Sequence, residues 1–280
     1  MSLQLFHDVS HQCSRLTTEK YSTSFSSAIR LLHSDLREPI YNIYGLVRFA
    51  DEIVDTFHQF DKPALLEQFR KETFDAIKDG ISLNPILNSF QLTVNRYRID
   101  LDLIEAFFKS MEMDLKSENY DAQRYTEYIY GSAEVVGLMC LYVFCDGNTR
   151  QFGKLKPAAC ALGAAFQKVN FLRDIKNDFY SLSRTYFPGV DFINFDAEMK
   201  RKIENDIASD FENAYAGIVA LPWKARFGVY VAYKYYLSLF NKIRRIRPSG
   251  VLHQRVRIPN FQKALIVARA GLLNQLKLIG

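Results

Sequence analysis

Apolar residues recur at helical spacing along almost the whole 280-residue chain, and alternating strand patterns are nearly absent. Only 13 glycines and 8 prolines interrupt this pattern, and turns are predicted at 82–85, 145–148 and 247–250. The spacing therefore predicts one all-α domain over residues 1–280, with helices at roughly 3–19, 22–32, 36–59, 63–79, 85–95, 100–117, 122–146, 150–182, 196–220, 224–246 and 259–277.

The composition supports a large core and gives no sign of a membrane span. Hydrophobic residues make up 48% of the chain and aromatic residues 14%. No run of about 18 uncharged apolar residues occurs, and the first residues lack the basic and then apolar pattern of a signal peptide. The four cysteines show neither CxxC nor zinc-like spacing, so we expect reduced thiols and a cytoplasmic location.

Three carboxylates stand at the end of an otherwise apolar helix at residues 41–55, which read YNIYGLVRFADEIVD. Residues three, four or seven apart lie on the same face of a helix. One face of this helix therefore carries a polar stripe made of Tyr44, Arg48, Asp51 and Asp55.

A second apolar helix carries a stripe of the same kind. Its residues 167–178 read QKVNFLRDIKND. Four side chains that can bind cations or donors through oxygen share one face: Gln167, Asn170, Asp174 and Asp178. An arginine, Arg173, directly precedes the first aspartate of this stripe.

Two interpretations fit either stripe by itself. A solvated face with local salt bridges is the simpler one, because Asp–Arg pairs are common on helices and contribute little. However, solvated faces are usually rich in Lys and Glu, whereas these stripes are narrow and bordered by aromatic and branched residues. Carboxylates brought together in apolar surroundings repel one another and lose hydration. Mg²⁺, with Mn²⁺ as the alternative, relieves both costs, and Arg48 and Arg173 suit direct contacts with diphosphate.

The two stripes, with the segments around them, resemble the squalene and phytoene synthases, the head-to-head branch of the isoprenoid synthases, and among them the bacterial phytoene synthases most closely. The resemblance runs from about residue 20 to residue 265. Two DxxxD motifs, each preceded by Arg and separated by AEVVGLM, are its most specific feature. The segments follow in family order: YSTSF (21–25), YGLVRFADEIVD (44–55), YRIDLDLIEAFFKSMEMDL (97–115), YIYGSAEVVGLM (128–139), QKVNFLRDIKND (167–178), RTYFP (184–188) and HQRVRIP (253–259).

The resemblance implies an all-α isoprenoid synthase fold with the two acidic motifs on opposing helices of a central cavity. The metal ligands that it implies are Asp51, Asp55, Asp174 and Asp178, with Asn170 on the metal or the phosphate. The diphosphate contacts that it implies are Ser22, Ser24, Arg48, Gln167, Asn170, Arg173, Tyr236 and Arg255. Tyr44 and Tyr128 are expected to line the cavity near the reacting carbons.

Some positions depart from the family pattern. Asn177 stands where a Glu is frequent, and Lys176 adds positive charge beside it. Lys168 replaces a residue that is commonly apolar, and Ser183 stands where a Gly usually precedes the Arg-x-Tyr-x-Pro segment. These changes bear on the affinity for metal rather than on the class of reaction, since none removes a principal implied ligand.

The implied reaction is the head-to-head condensation of two allylic isoprenyl diphosphates through a cyclopropyl diphosphate. We expect two molecules of geranylgeranyl diphosphate to give phytoene, as in carotenoid biosynthesis. Squalene or dehydrosqualene made from farnesyl diphosphate is the alternative, and NADPH is needed only for squalene. A non-catalytic assembly or lipid-binding protein is disfavoured because all four motif aspartates are present. The lack of the C-terminal anchor typical of eukaryotic squalene synthases favours the bacterial carotenoid type.

Substrate length is predicted from two positions one helical turn from the motifs. Ile29 and Tyr41 are candidate floor residues of the cavity, with ordinary core packing as the alternative for both. An isoleucine at position 29 leaves more room than an aromatic residue, which favours the twenty-carbon substrate. We interpret three aromatic residues as core residues, with cavity lining as the alternative: Phe25, Phe107 and Phe108.

Three remaining features leave alternatives open. His7 and His11 are spaced like metal ligands, but a solvated N-terminal helix is favoured because no carboxylate partner follows. Asp114 matches a family position, and a structural helix-pairing role is its alternative. A basic cluster consists of Lys242, Arg244, Arg245, Arg247, Arg255 and Arg257. It favours a surface that faces lipid headgroups over a nucleic-acid site, and so favours peripheral contact with the inner face of a membrane. The oligomeric state is left open.

Overall fold

Every regular element among the described residues is helical, which confirms the predicted all-α class. The computed structural model describes residues 2–116, 120–181, 186–190, 194–253, 255–276 and 279, and the side chains of residues 176–181 and 253 lie outside that description. The helices are α1 (Leu3–Tyr21), α2 (Thr23–Ile29), α3 (Ser34–Asp55), α4 (Lys62–Asp79), α5 (Pro85–Tyr97), α6 (Leu101–Asp114), α7 (Ala122–Ile129), α8 (Val135–Cys145), α9 (Thr149–Ser181), α10 (Ala197–Ala220), α11 (Trp223–Arg244), α12 (Pro248–His253) and α13 (Asn260–Gln275).

Two stretches differ from the predicted elements. The helix predicted at 122–146 is interrupted by a π-helical segment, Tyr130–Glu134, which joins α7 to α8. The turn predicted at 247–250 instead contains the start of α12 at Pro248. A proline suits the first helical position because the missing N–H would have no partner inside the helix there.

Side-chain caps fix where seven of these helices begin. Each cap is a Ser, Asp or Asn whose side-chain oxygen accepts a backbone N–H that the helix itself leaves unbonded. These capping residues are Ser2, Ser22, Asp61, Asn84, Asp100, Asp121 and Asp196. At the far end of α4, Gly80 has a φ of 72°, a left-handed conformation that glycine adopts without steric cost.

Two apolar cores stand on either side of a cavity. The first core is built mainly from α3, α4, α5, α6 and α8, and its fully buried members include Leu46, Phe107 and Phe108. The second core is built mainly from α9, α10 and α11, with Leu172 and Ile243 among its most buried members. Both cores contribute side chains to the wall of the cavity, so the packing of each half shapes the same space.

Glycines allow the π-helical segment to lie unusually close to its neighbours. A Cβ added at Gly131 would stand 2.5 Å from the backbone oxygen of Ala106 on α6. A Cβ added at Gly163 on α9 would stand 2.7 Å from the backbone oxygen of Ala133. The segment is therefore held tightly between α6 and α9, and this places Ser132 on the cavity wall.

Helix α1 packs against α3 and α5 through small polar side chains rather than apolar ones. Ser14 Oγ lies 2.6 Å from Ser89 Oγ, which links α1 to α5. His11 Nδ1 lies 3.2 Å from Asn42 Oδ1, and His7 Nδ1 lies 3.1 Å from the side-chain nitrogen of Asn88. The two histidines therefore belong to a polar interface between helices, and the predicted solvated face is wrong for them.

One described stretch, Ala122–Cys145, is long and apolar enough by length and composition to cross a membrane. Half of its most apolar 18-residue window is buried inside the protein. Val135, Leu138 and Met139 in this stretch are fully buried among the side chains of the first core. It therefore serves as a core element of the helical bundle.

Candidate active site

The cavity between the two cores has a volume of about 1580 Å³ and changes character along its length. On α3 the lining residues change from Ile40 and Ile43 to the charged residues of the first acidic motif. On α9 they change in the same direction, from Leu155 to Asp174. We call the part walled by the two motifs the polar end. The apolar end is walled by Ile29, Leu32, Ile40, Ile43, Phe144, Leu155, Ile218 and Leu221.

The structure brings nearly all of the sequence-predicted site residues to this cavity. The exception is Asp178, whose backbone lies in α9 but whose side chain is outside the described part of the protein. The others line the cavity: Ser22, Ser24, Tyr44, Arg48, Asp51, Asp55, Tyr128, Gln167, Asn170, Arg173, Asp174, Tyr236 and Arg255.

In the first acidic motif, Asp51 is partly buried beside a second carboxylate, Asp55. Arg48 contacts the carboxylate of Glu52 and stands 3.9 Å from Asp51 Oδ2, and its guanidinium lies 4.4 Å from the ring centre of Tyr21. Burial of Asp51, together with the nearby charge of Asp55, raises the pKa of Asp51 to about 8 despite the opposing effect of Arg48. An ionised Asp51 is therefore costly until a cation enters the site.

Asp174 of the second acidic motif is already paired with its neighbours. Arg173 Nε donates to both carboxylate oxygens of Asp174, at 3.1 and 3.0 Å. Arg255, from the segment before α13, places its Nε 2.8 Å from Asp174 Oδ1. Two guanidinium groups thus converge on one carboxylate, and the side chain of Arg255 is still 53% exposed. These groups are placed to contact a diphosphate that enters the cavity.

A chain of hydrogen bonds orients the amide side chains of the second stripe. The Tyr236 hydroxyl on α11 lies 3.3 Å from Asn170 Oδ1, to which it donates. Asn170 Nδ2 donates to Gln167 Oε1 at 3.4 Å, and Gln167 Nε2 donates to Ser132 Oγ at 3.2 Å. The chain runs from α11 across α9 to the π-helical segment, so three elements position this stripe together.

Aromatic rings surround the polar end. Phe166 stacks on Tyr236 with ring centres 3.9 Å apart, and Phe25 lies 6.0 Å from Tyr236 and 5.8 Å from Tyr44. Burial raises the pKa of Tyr44 to about 12, so its hydroxyl stays protonated at neutral pH. Neutral aromatic faces at this position can stabilise positive charge that develops on a substrate. Phe25 therefore lines the cavity, whereas Phe107 and Phe108 are fully buried in the first core, as interpreted from the sequence.

A buried carboxylate, Asp114, anchors two tyrosine hydroxyls on the cavity wall. The Tyr128 hydroxyl donates to Asp114 Oδ2 at 2.7 Å, and the Tyr186 hydroxyl donates to Oδ1 at 3.2 Å. Burial and the charge of Asp114 raise the pKa of Tyr128 well above its usual value. Phe171 stacks on Tyr186 with ring centres 4.1 Å apart, which fixes that ring. Asp114 also lines the cavity, which favours a site role over the structural helix-pairing role that the sequence left as the alternative.

Sequence reasoning missed Lys263, which reaches the cavity from α13. Its Nζ donates to Thr23 Oγ1 at 2.9 Å, and burial lowers the pKa of Lys263. The contact ties α13 to the first turn of α2, beside the predicted Ser22 and Ser24. No local motif marks this lysine, because its position depends on how α13 folds back over α2.

Other expectations concern residues that lie away from the polar end or outside the described residues. Tyr41 is buried in the first core and does not line the cavity, so its prediction as a floor residue is wrong; Ile29 does line the cavity. Lys168, the departure from the family pattern on α9, lies outside the lining and pairs with Asp206 and Asp210 of α10 at 2.6 and 2.7 Å. Ser183 lies outside the described residues, and the side chains of Lys176 and Asn177 do as well.

The donor set at the polar end fits a hard divalent cation. Carboxylate oxygens of Asp51 and Asp55 lie on one wall, and oxygens of Asp174 and Asn170 lie on the other. Burial and repulsion from Asp55 raise the pKa of Asp51, and a cation would relieve both costs. Among the described residues no three His, Cys, Asp or Glu side chains form a preassembled metal cluster, so diphosphate oxygens are suited to complete the coordination.

Solved structures with the same architecture include prenyl-condensing enzymes. A dehydrosqualene synthase crystallised with a ligand aligns with a TM-score of 0.84 and 18% identity, covering 96% of this chain and 98% of that one. The squalene synthase HpnC from Alicyclobacillus acidocaldarius aligns with a TM-score of 0.74 and 19% identity, covering 85% and 94%. The chain thus shares the all-α fold of these two synthases.

The sequence model of squalene/phytoene synthase matches residues 18–262, so the chain belongs to the squalene/phytoene synthase family of prenyltransferases. A phytoene synthase from Arthrospira platensis is 25% identical over 94% of this chain and 93% of its own length. A 4,4'-diapophytoene synthase from Staphylococcus haemolyticus (strain JCSC1435) is 26% identical over 68% of this chain and 66% of its own length. Family members act on isoprenyl diphosphates, in a reaction that depends on a divalent metal.

Proposed function

We propose that this protein condenses two molecules of geranylgeranyl diphosphate head to head to give phytoene. The observation that carries the proposal is one cavity with two ends of opposite character. Two Arg-Asp motifs and a ring of tyrosines wall the polar end, and aliphatic side chains wall the apolar end. Such a cavity matches a substrate with a diphosphate head and a long isoprenoid tail.

At the polar end we assign the acidic side chains to the metal and the basic ones to the substrate diphosphates. Asp51, Asp55, Asn170, Asp174 and Asp178 are the proposed metal ligands. Mg²⁺ bound there supplies electrostatic stabilisation of the leaving diphosphate. The proposed diphosphate contacts are Ser22, Ser24, Arg48, Gln167, Arg173, Tyr236 and Arg255. Arg173 and Arg255 exchange their present partner, Asp174, for diphosphate oxygens when substrate binds.

The rest of the cavity protects the cation that forms when the first C–O bond ionises. The double bond of the second substrate attacks this allylic cation, and loss of a proton closes the ring of the cyclopropyl diphosphate. A second ionisation that releases the other diphosphate, a rearrangement and the loss of a second proton then give phytoene. Tyr44, Phe166 and Tyr236 present neutral rings beside the polar end. Tyr128 is held by Asp114, so its phenol keeps one orientation while the cation rearranges. Apolar walls exclude water that would otherwise quench the cation.

Small side chains along the cavity support the longer substrate. The lining includes glycines and alanines: Ala28, Ala133, Gly137, Ala158, Ala159, Gly163, Ala214, Gly217, Gly228 and Ala232. Ile29, at 3% exposure, narrows this end less than an aromatic residue would. Each additional buried CH₂ group contributes about 0.8 kcal/mol where space exists, which favours the twenty-carbon chain.

Condensation of farnesyl diphosphate is the second candidate. Two relatives support it: the 4,4'-diapophytoene synthase by sequence, and the dehydrosqualene synthase by fold alone. The reaction class and the site residues are the same in both candidates. They differ in the depth of the cavity that the tails occupy and, for squalene, in a requirement for NADPH.

Product analysis separates the candidates. The purified protein is incubated with Mg²⁺ and either farnesyl or geranylgeranyl diphosphate, with and without NADPH. The masses of the products are then measured by mass spectrometry. We expect the forty-carbon phytoene from geranylgeranyl diphosphate without NADPH. Faster turnover of farnesyl diphosphate would reject the substrate assignment, and the absence of a head-to-head product from both would reject the reaction.

Substitution of Ile29 tests the depth argument directly. Ile29→Phe shortens the apolar end and is expected to shift the ratio of rates toward farnesyl diphosphate. Ile77→Phe on α4 is the matched control, because Ile77 is half-buried and does not line the cavity. An unchanged ratio in Ile29→Phe would mean that this residue does not set the length.

A further inference from the structure

The charge of the chain divides sharply after Glu212. The residues before this point include 24 Lys and Arg against 31 Asp and Glu, a formal charge of −7. Residues 213–280 contain twelve Lys and Arg and no Asp or Glu, a formal charge of +12 that brings the chain to its net +5. This last part comprises the end of α10 together with α11, α12 and α13. One region of the surface is therefore strongly positive although the net charge is mild.

Helix α13 presents apolar side chains to solvent along its outer face. Phe261 and Leu265 are each 64% exposed, and Leu272 and Leu276 are 57% and 58% exposed. Together with the exposed Ala268 these residues follow helical spacing, so they form one continuous face, the α13 stripe. The opposite face packs on the second core through Ile266, Val267, Ala270 and Leu273. A surface helix that is apolar on both faces is expected to meet a partner.

A comparison with α1 shows that the α13 stripe is unusual for this protein. Helix α1 also exposes leucines, with Leu3 at 60% and Leu16 at 56%. On α1, however, charged and amide side chains such as Asp8, Gln12 and Arg15 are exposed among them. On α1 the exposed row of Leu5, Val9 and Leu16 is interrupted by Gln12, whereas the α13 stripe contains no polar side chain.

The basic cluster defined from the sequence (Lys242, Arg244, Arg245, Arg247, Arg255 and Arg257) lies next to the start of the α13 stripe. Lys242 Nζ donates to the backbone oxygen of Arg257 at 2.7 Å, which ties the end of α11 to the segment that leads into α13. That segment also reaches the catalytic cavity, since Arg257, Asn260 and Lys263 line it. All six members of the cluster are exposed. Positive charge, an apolar face and the rim of the cavity therefore adjoin.

We propose that the α13 stripe and the basic cluster dock this protein onto the surface of an anionic phospholipid bilayer. Basic side chains attract anionic headgroups, and an exposed Phe/Leu face enters the boundary between headgroups and acyl chains. A second copy is a poor occupant, because a symmetric dimer through this face would bring two strongly positive surfaces together. Nucleic acid would use the positive charge but not the continuous apolar face.

Vesicle flotation of the purified full-length chain tests this surface without any substrate. Vesicles contain phosphatidylcholine alone or with about 30% phosphatidylglycerol, a composition that supplies the anionic surface. We expect binding to the anionic vesicles that is about tenfold tighter than to phosphatidylcholine. Leu265→Ser/Leu272→Ser is expected to weaken that binding about tenfold or more, because it removes two aliphatic side chains from the docking face.

Two matched controls make the result specific. Leu3→Ser/Leu16→Ser on α1 removes equally exposed leucines and is expected to bind like the unaltered protein. Arg245→Gln/Arg247→Gln is expected to weaken binding, whereas Lys71→Gln/Lys78→Gln on α4 is not. The arginine pair lies outside α13, so its result is decisive even if the serine variant of α13 fails to fold by circular dichroism.

Several outcomes would overturn the proposal. Equal losses in the α1 and α13 variants would show that the stripe has no special role. Absence of binding to anionic vesicles would reject the membrane. A dimer in light scattering that the α13 variant converts to a monomer would assign the stripe to self-association, and binding to duplex DNA that survives the α13 substitutions while vesicle binding is absent would assign the basic cluster to nucleic acid.

Discussion

The two acidic motifs share a sequence pattern but differ in electrostatics. On α3, Arg48 is engaged mainly with Glu52, and burial with the charge of Asp55 raises the pKa of Asp51 to about 8. On α9, Asp174 receives hydrogen bonds from Arg173 and an ion pair from Arg255. On the α3 wall Asp51 therefore has a raised pKa, whereas on the α9 wall Asp174 already has two cationic partners.

Because of this difference, the two walls are suited to bind different species. A wall on which burial and a neighbouring carboxylate raise the pKa of an aspartate favours the entry of a divalent cation before substrate arrives. A wall whose carboxylate is paired with two arginines favours the entry of a diphosphate, which then shares or takes over those cations. The DxxxD pattern alone does not distinguish these roles, because the charges that create the difference come from elsewhere in the chain.

The largest expected effect is the loss of turnover when either motif aspartate is neutralised. Asp51→Asn and Asp174→Asn should each lower turnover about 10³-fold, because both remove charge that supports ionisation of the diphosphate. Product formation from isoprenyl diphosphate with Mg²⁺ is the assay, and excess chelator should abolish it. Asp75→Asn, at an exposed position of α4, is the control. Full activity in chelator would disprove the metal requirement.

Neutralising Asp114 is expected to have the second largest effect on turnover. It also tests the electrostatics of Asp51 on the α3 wall. Asp114→Asn should lower kcat about 10²-fold with little change in KM, since it weakens the bond that holds Tyr128 but leaves the diphosphate contacts. Asp114 also adds to the negative charge that Asp51 experiences, so the variant should lower the pKa of Asp51. Tyr186→Phe, which removes the longer of the two hydroxyl bonds, should have a smaller effect on kcat. A change confined to KM would place Asp114 in substrate binding instead.

Replacing the motif arginines by lysine should cost about tenfold in kcat/KM each, because lysine cannot form the paired contacts of a guanidinium. Arg173→Lys should also loosen Asp174, whereas Arg48→Lys should act mainly through Glu52 and the diphosphate. Arg70→Lys, in an ion pair between α4 and α6, serves as the control. Unchanged kinetics in Arg48→Lys would mean that this arginine only pairs with its own helix.

The smallest expected effect is on stability without metal, and it has opposite signs for the two walls. The folded-state pKa of Asp51 is raised, so the folded protein loses stability through this group as the pH rises from about 4 to above 8. Asp51→Asn should therefore raise Tm by about 2 °C at pH 9, with a smaller gain at pH 5. Asp174→Asn should lower Tm, because it leaves Arg173 and Arg255 without their carboxylate. Thermal unfolding in chelator measures both, and a fall in Tm for Asp51→Asn at pH 9 would contradict the account.

Helix positions could be predicted from the sequence because apolar spacing and caps are local signals. The start of α10 at Ala197 follows from Asp196, whose side chain caps it. The π-helical segment at Tyr130–Glu134 could not be predicted, because its cause is the tight fit of Gly131 against α6. The extent of the domain, residues 1–280, stays a prediction.

The residues that line the site could be predicted far better than the ion pairs and hydrogen bonds that they form there. The motif residues of α3 and α9 reach the cavity because each stripe follows from helical periodicity. Tyr41 was wrongly predicted as a floor residue, since one turn along a helix can also point into the core. The pairing of Arg255 with Asp174 and of Asp114 with Tyr128 depends on tertiary contacts that no local pattern encodes. The proposed roles of the site residues stay predictions.

Binding of Mn²⁺, followed by electron paramagnetic resonance, tests the central difference between the two walls. The unaltered protein, Asp51→Asn and Asp174→Asn are titrated with Mn²⁺ in the absence and presence of inorganic diphosphate. We predict that Asp51→Asn loses Mn²⁺ binding without diphosphate, while Asp174→Asn keeps it but loses the increase in affinity that diphosphate causes. Mn²⁺ binding that survives in Asp51→Asn and disappears in Asp174→Asn would contradict the account, because it would place the first cation on the α9 wall.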